Sequence, residues 1–145
     1  MKKMIFATVL IGVLCISCSE DNDNLHIGNT CDAAADIISE EDFEEIDTSI
    51  YTLTEIDLNG DCLEVTLSDS GCDPEPWEMN LFSVDAFYTV DPMQRTVKIQ
   101  LINEQLCQAV FQKTVSFDIT PFQIDGQNEV PLNIEGWDEA IVYEY

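Results

Sequence analysis

IYTLTEIDLNGDCLEVTLS, residues 50–68, is the stretch that decides the fold class. Residues 50–58 are rich in β-branched and aromatic side chains, and residues 62–68 alternate strictly. Leu63, Val65 and Leu67 fall on one face, and Glu64, Thr66 and Ser68 on the other. That is the period of two of a half-buried strand. Between the two runs stands Asn59-Gly60, the pair that favours a type I′ turn, with positive φ at both central positions. The stretch predicts an antiparallel hairpin.

The same period recurs downstream. Trp77, Met79 and Leu81 alternate, as do Val97, Ile99 and Leu101. A long run over 106–119 ends in alternating Val115, Phe117 and Ile119, and residues 130–134 and 140–145 complete the set. Turn-forming residues separate the runs: 68–76 (SDSGCDPEP), Asn103-Glu104, Pro121 and Asp125-Gly126. About seven strands with turns roughly every ten residues predict an antiparallel β-sandwich. An immunoglobulin-like label would rest on strand number alone. Upstream, residues 32–46 (DAAADIISEEDFEEI) carry early alanines and apolar Ile37, Ile38, Phe43 and Ile46. They predict a short helix, although Glu40, Glu41, Glu44 and Glu45 repel one another.

The N-terminus reads as an export signal. Lys2 and Lys3 precede an apolar run from Met4 to Ile16 that Thr8 and Gly12 interrupt. The run is too short for the roughly 20 residues of a membrane-spanning helix. Cys15-Ile16-Ser17-Cys18 resembles a lipobox, with small Ser17 before the cysteine that is cut and acylated and Cys15 where leucine is usual. Acylation at Cys15 would put bulky Leu14 at the small position, so Cys18 is the expected lipidation site. Ser19, Glu20, Asp21 and Asp23 then resemble the acidic export tag of surface lipoproteins in the Bacteroidota. This implies palmitate-type anchorage in the outer membrane and display at the cell surface. Acylation with two or more chains anchors firmly, because each buried methylene contributes about 0.8 kcal/mol. The expected organisation is a signal peptide over 1–17, an acylated cysteine and flexible acidic tether over 18–30, and one domain over 31–145.

Charge excludes whole classes of partner. From residue 18 onward, 29 acids face Arg95, Lys98 and Lys113, a net charge of −26. Such a surface repels nucleic acid and anionic headgroups and has no basic patch for phosphate. With 46% hydrophobic residues in a patterned order, the chain nevertheless has material for a core.

Four cysteines remain beyond Cys18: Cys31, Cys62, Cys72 and Cys107. In an exported domain an even number predicts two disulfides, with three possible connectivities. Strand directions choose among them. With residues 50–58 running up, the hairpin turn and Cys62 lie at the top. A following strand of about seven residues, roughly 23 Å, delivers Cys72 to the bottom. One strand up from Trp77 and one down to Ile102 bring Cys107 to the same end. Cys72 therefore pairs with Cys107, and Cys31 with Cys62. A helix of about ten residues, roughly 15 Å, would descend from Cys31 to the base of the first strand.

Little in the chain suggests catalysis or a cofactor. Ser-His-Asp and Cys-His sites need an ordered histidine, and the single histidine, His26, falls in the tether. A glycosidase needs two carboxyls across a cleft, and 29 acids do not identify a pair. Zinc lacks paired cysteines and histidines. Asp57, Asn59, Gly60, Asp61 and Glu64 share residue types with a calcium loop, but glycine stands fourth where an EF-hand has it sixth. Asp69, Asp73 and Glu75, or Asp118 and Asp125, are further calcium candidates. Trp77 is expected in the core, and Trp137 folded over the sandwich edge, rather than on a sugar platform.

The segments GDCLEVTLSDSGCD, RTVKIQL, LCQAVFQKTVSFDITPFQ and the closing VYEY resemble small uncharacterised lipoproteins of the same bacterial group. The resemblance implies location and fold and supplies no activity. The expected function is a non-enzymatic, membrane-anchored binding or accessory module for another envelope protein or a glycan, with no nucleic-acid partner. The alternatives are a structural envelope lipoprotein without a discrete ligand, and a calcium-binding or glycan-processing domain.

Overall fold

The computed structural model describes residues 31–86 and 93–145. Cys18, Ser19, Glu20, Asp21, Asp23, Cys15 and His26 lie outside the described residues. Among those described, nine strands form two sheets. The chain runs β1 (Ala33–Ala34), β2 (Asp36–Ile38), α1 (Glu40–Glu44), β3 (Thr52–Asn59), β4 (Cys62–Gly71), β5 (Glu78–Val84), β6 (Arg95–Ile102), β7 (Ala109–Asp118), a 3₁₀ turn (Thr120–Phe122), β8 (Glu129–Ile134) and β9 (Ile141–Glu144). The first sheet has the order β1-β7-β4-β3 and the second β2-β5-β6-β8-β9. Leu63, Val65, Leu67 and Phe117 of the first face Leu81, Val97, Ile99, Val130, Leu132 and Tyr143 of the second in one core. The seven strands predicted from periodicity are β3 to β9.

Two local expectations need correction. The predicted helix over 32–46 is confined to Glu40–Glu44, and the residues before it form β1 and β2. The open edges of β7 and β5 recruit this segment: Ala33 pairs with Phe117 and Ile37 with Ser83, both in parallel, and β6 and β8 also run parallel. Ala35 bridges the sheets, its N–H donating to Asp118 O. Ser39 caps α1 by accepting from Asp42 N, and the acids of the first turn suit the positive end of the helix dipole. Second, the hairpin turn is displaced by one residue. Asn59 pairs with Cys62, so Gly60 and Asp61 are central. Gly60 has φ +60° and Asp61, like every other described non-glycine residue, does not have positive φ, which is the type II′ pattern rather than I′. Tertiary contacts fix the shift, because Asp61 O accepts from Ile119 N and Asp61 Oδ1 accepts from Tyr143 Oη at 2.5 Å.

Residues 39–51 cross the outer face of the second sheet. Lys98 lies between core-facing Val97 and Ile99, so its side chain leaves the opposite face, yet it is only 7% exposed. Phe43 and Ile46 cover it and are themselves buried. Tyr51 Oη donates to Ile99 O, and Thr48 Oγ1 to Glu135 Oε1. On the outer face of the first sheet, Cys31 and Asp32 lie against Cys62 and Ser116, and Thr66 and Thr114 have their hydroxyls 2.8 Å apart.

Candidate functional site

The two disulfides mark opposite ends of the sandwich. Cys31 bonds to Cys62 and Cys72 to Cys107, the pairing that strand direction predicts, although a strand and not a descending helix follows Cys31. Cys62 opens β4 and Cys72 follows its last residue, so ten strand residues, roughly 30 Å, separate the bridges. Cys31, the first described residue, therefore lies at one end, and the loops 72–77 and 103–108 form the other.

That far end is held by side chains. Gln105 Oε1 accepts from Cys72 N at 2.6 Å, from Asp73 N at 3.0 Å and from Trp77 Nε1 at 3.4 Å. Asn103 Nδ2 donates to Asp69 Oδ2 and Ser70 O, and its Oδ1 accepts from Gln105 N. Lys113 Nζ donates to the carbonyls of Glu75 and Trp77. Glycine is required at position 71, since a Cβ there would lie 2.6 Å from Gln105 Oε1 and 2.9 Å from Trp77 Cζ2. The loops are thus a rigid platform with their main-chain groups engaged.

Apolar side chains project from this platform. Leu106 is 96% exposed and Val110 73%, with Ile102 half-exposed nearby in sequence. A depression of about 400 Å³ lies beside them, lined by Pro76, Trp77, Ile102 and Gln105 among others. A single exposed leucine needs no explanation. Here Leu106 stands on the disulfide-locked loop, with Val110 on β7 and Ile102 at the end of β6.

The basic residues serve the interior. Arg95 donates to Phe122 O and Val84 O, Lys98 to Phe43 O and Ile46 O, and Lys113 to Glu75 O and Trp77 O. Each therefore fixes a connection through main-chain carbonyls. Lys98–Glu135, at 3.7 Å, is the one ion pair among the described residues.

Several of the acids named as calcium candidates are engaged in hydrogen bonds within the fold. Asp69 accepts from Asn103 and Ser70 N, Asp73 from Glu75 N, and Asp118 from Thr120 N. Among the described residues no group of three or more ligating side chains converges on a metal position. Trp77 is buried and Trp137 packs against the core, so they form no shared platform. No described helix is long and apolar enough to cross a membrane. Sequence reasoning passed over Gln105, Leu106 and Lys113. A signal for that region existed: residues 105–117 are thirteen consecutive positions without an acid, between Glu104 and Asp118.

The sequence matches no family model and no curated protein. Its fold is similar to that of a protein of unknown function, DUF1344, from Bacteroides vulgatus, with a TM-score of 0.51, 12% identity, and coverage of 78% of this chain and 56% of that one. It is also similar to a putative toxin related protein from Parabacteroides distasonis, with a TM-score of 0.51, 13% identity, and coverage of 78% and 58%. This chain thus corresponds to somewhat over half of each neighbour. At such identity the likeness is one of fold, shared with uncharacterised proteins of Bacteroidales.

Proposed function

We propose that the protein is a surface-displayed lipoprotein, acylated at Cys18, that acts without catalysis and engages another envelope protein through the Leu106 end. The observation that carries this reading is the placement of exposed Leu106 and Val110 at the opposite end of β4 from Cys31. A tether leading to Cys31 leaves that end pointing away from the membrane. The lipobox resemblance and the acidic residues after Cys18 supply the anchor and the side of display. The rigidity of the platform lowers the entropy lost on docking.

A photoreactive residue at position 106, in cells that make the acylated protein, tests the reading. A discrete adduct that disappears with Cys18→Ser, and that a probe at Asp57 fails to give, is the expected result. Equal labelling from both positions, or none from position 106, overturns it.

A further inference from the structure

We propose that the open edge of β7 is a self-association surface, on which a second copy of this chain adds its own β7 in antiparallel register. The argument starts from main-chain parity. Asp118 O accepts from Ala35 N, and Ser116 N donates to Asp32 Oδ2, so these even-numbered residues turn their main-chain groups away from β4. Thr66 O is directed to β3, where it accepts from Thr54 Oγ1, and Thr66 is the β4 partner of Thr114. Thr114 therefore belongs to the same outward-facing set. The register between β4 and β7 is unbroken from Ala109 to Asp118, so Val110, Gln112 and Thr114 each present one N–H and one C=O to the edge.

β1 covers this edge only at Phe117 and Asp118. The first disulfide explains why the preceding chain does not continue along it. Cys31 and Cys62 have Cα atoms 5.6 Å apart, whereas β1 and β4 flank β7 and lie two strand spacings apart, about 9.6 Å. At Cys31 the chain has left the edge and passes over the outer face of β7.

Charge selects the occupant. The other open edges carry carboxylates: Glu55 and Asp57 on β3, Glu78 on β5 and Glu144 on β9. Such charges are a usual guard against edge pairing. On β7 the one carboxylate, Asp118, lies where β1 pairs, the open stretch before it has none, and the one charge of that stretch, on Lys113, is engaged by Glu75 O and Trp77 O. A basic partner would gain from carboxylates here and finds none. A partner that is itself strongly acidic needs a stretch from which they are absent. A second copy is such a partner, and it brings an edge of identical length and parity. About a twofold axis, Gln112 faces Gln112 and Val110 faces Thr114, which closes six interchain hydrogen bonds and joins two four-stranded sheets.

Sedimentation of the full chain carrying Cys18→Ser, so that no acyl chain drives association, provides the test. The expected result is a monomer–dimer equilibrium that tightens as salt screens the net charge. Gln112→Pro removes one outward N–H per copy without touching the bonds to β4, and should weaken association about thirtyfold. Val110→Asp should weaken it as well; because Val110 also borders the proposed partner site, the two surfaces are separated by Leu106→Asp, which should leave association unchanged, and by Gln112→Pro, which should not. A monomer at every concentration and ionic strength, or a dimer that Gln112→Pro and Val110→Asp both leave intact, overturns the proposal.

Discussion

Lys98 Nζ lies 3.1 Å from the carbonyl oxygen of Phe43, fifty-five residues earlier in the chain. Its ammonium also sits 4.9 Å from the centroid of the Phe43 ring. A five-residue helix that starts with three acids and ends in Glu44 and Glu45 has no basic residue of its own for its negative end. The second sheet provides one through Lys98.

Lys98→Met keeps most of the apolar stem and removes the donor, leaving Phe43 O and Ile46 O without it under the 39–51 crossing. A loss of about 2 kcal/mol in urea unfolding is expected. Glu135→Gln removes the half-exposed charge of the ion pair, keeps an oxygen that can accept from Thr48 Oγ1, and should cost under about 1 kcal/mol. Equal effects would show that the ion pair, and not the carbonyl contacts, holds the crossing.

Gly71→Ala should be strongly destabilising, by about 1–3 kcal/mol, because the new methyl meets Gln105 and Trp77. Gln105→Ala removes one of the two obstacles. The double variant should therefore lose less than the two single variants together, and a double-mutant cycle by thermal or urea unfolding measures the difference.

A buried tyrosine, Tyr143, and a partly buried one, Tyr51, set an alkaline limit. Burial and the Asp61 carboxylate push the Tyr143 hydroxyl up to about 12, and burial next to Glu135 raises that of Tyr51 as well. A group that holds its proton more tightly when folded contributes fully below its unfolded value, near 10. That contribution fades as pH rises toward the folded value. Stability should be flat from neutral pH to about 10 and fall between there and about 12. Tyr143→Phe should flatten part of the fall, measured as the urea midpoint against pH.

Replacing Cys72 and Cys107 by alanine opens a closure of 35 residues and should cost about 3–4 kcal/mol. Removing Cys31–Cys62, with a separation of 31, should cost a similar amount. The two differ in place. Only the first should speed amide exchange in residues 72–77 and 103–108, the loops that carry Leu106.

The anchor has its own test. Cys18→Ser should release the protein from membranes, and Cys15→Ser should leave acylation unchanged. Neutralising Glu20, Asp21 and Asp23 should remove antibody labelling of intact cells. Mass spectrometry that finds lipid on Cys15 would refute the assignment.

The legible part of this fold was the part written in short-range pattern. Residues 62–68 alternate because one face of β4 is fully buried, and the same holds for Val97, Ile99 and Leu101. Once those strands had directions, the cysteine pairing followed from geometry. The segment 32–46 was misread because its state is set by the edges of β7 and β5, far away in sequence. The turn slipped by one residue for a similar reason, since Ile119 and Tyr143 hold Asp61. At the far end, Gln105 looked like one more polar loop residue. Its three accepted hydrogen bonds come from donors 28 to 33 positions earlier.

The use of Arg95, Lys98 and Lys113 as holders of main-chain carbonyls bears on resistance to proteolysis. A trypsin-like protease cuts after basic residues, and from residue 18 onward the chain offers it these three alone. All three lie within paired strands, β6 and β7, with side chains engaged by the fold. Cleavage must therefore wait for the sheets to open, and β6 lies between two neighbours in its sheet. Digestion by such a protease should proceed only as the sheets open, whereas an enzyme that cuts at glutamate meets exposed targets outside the strands in Glu104 and Glu139.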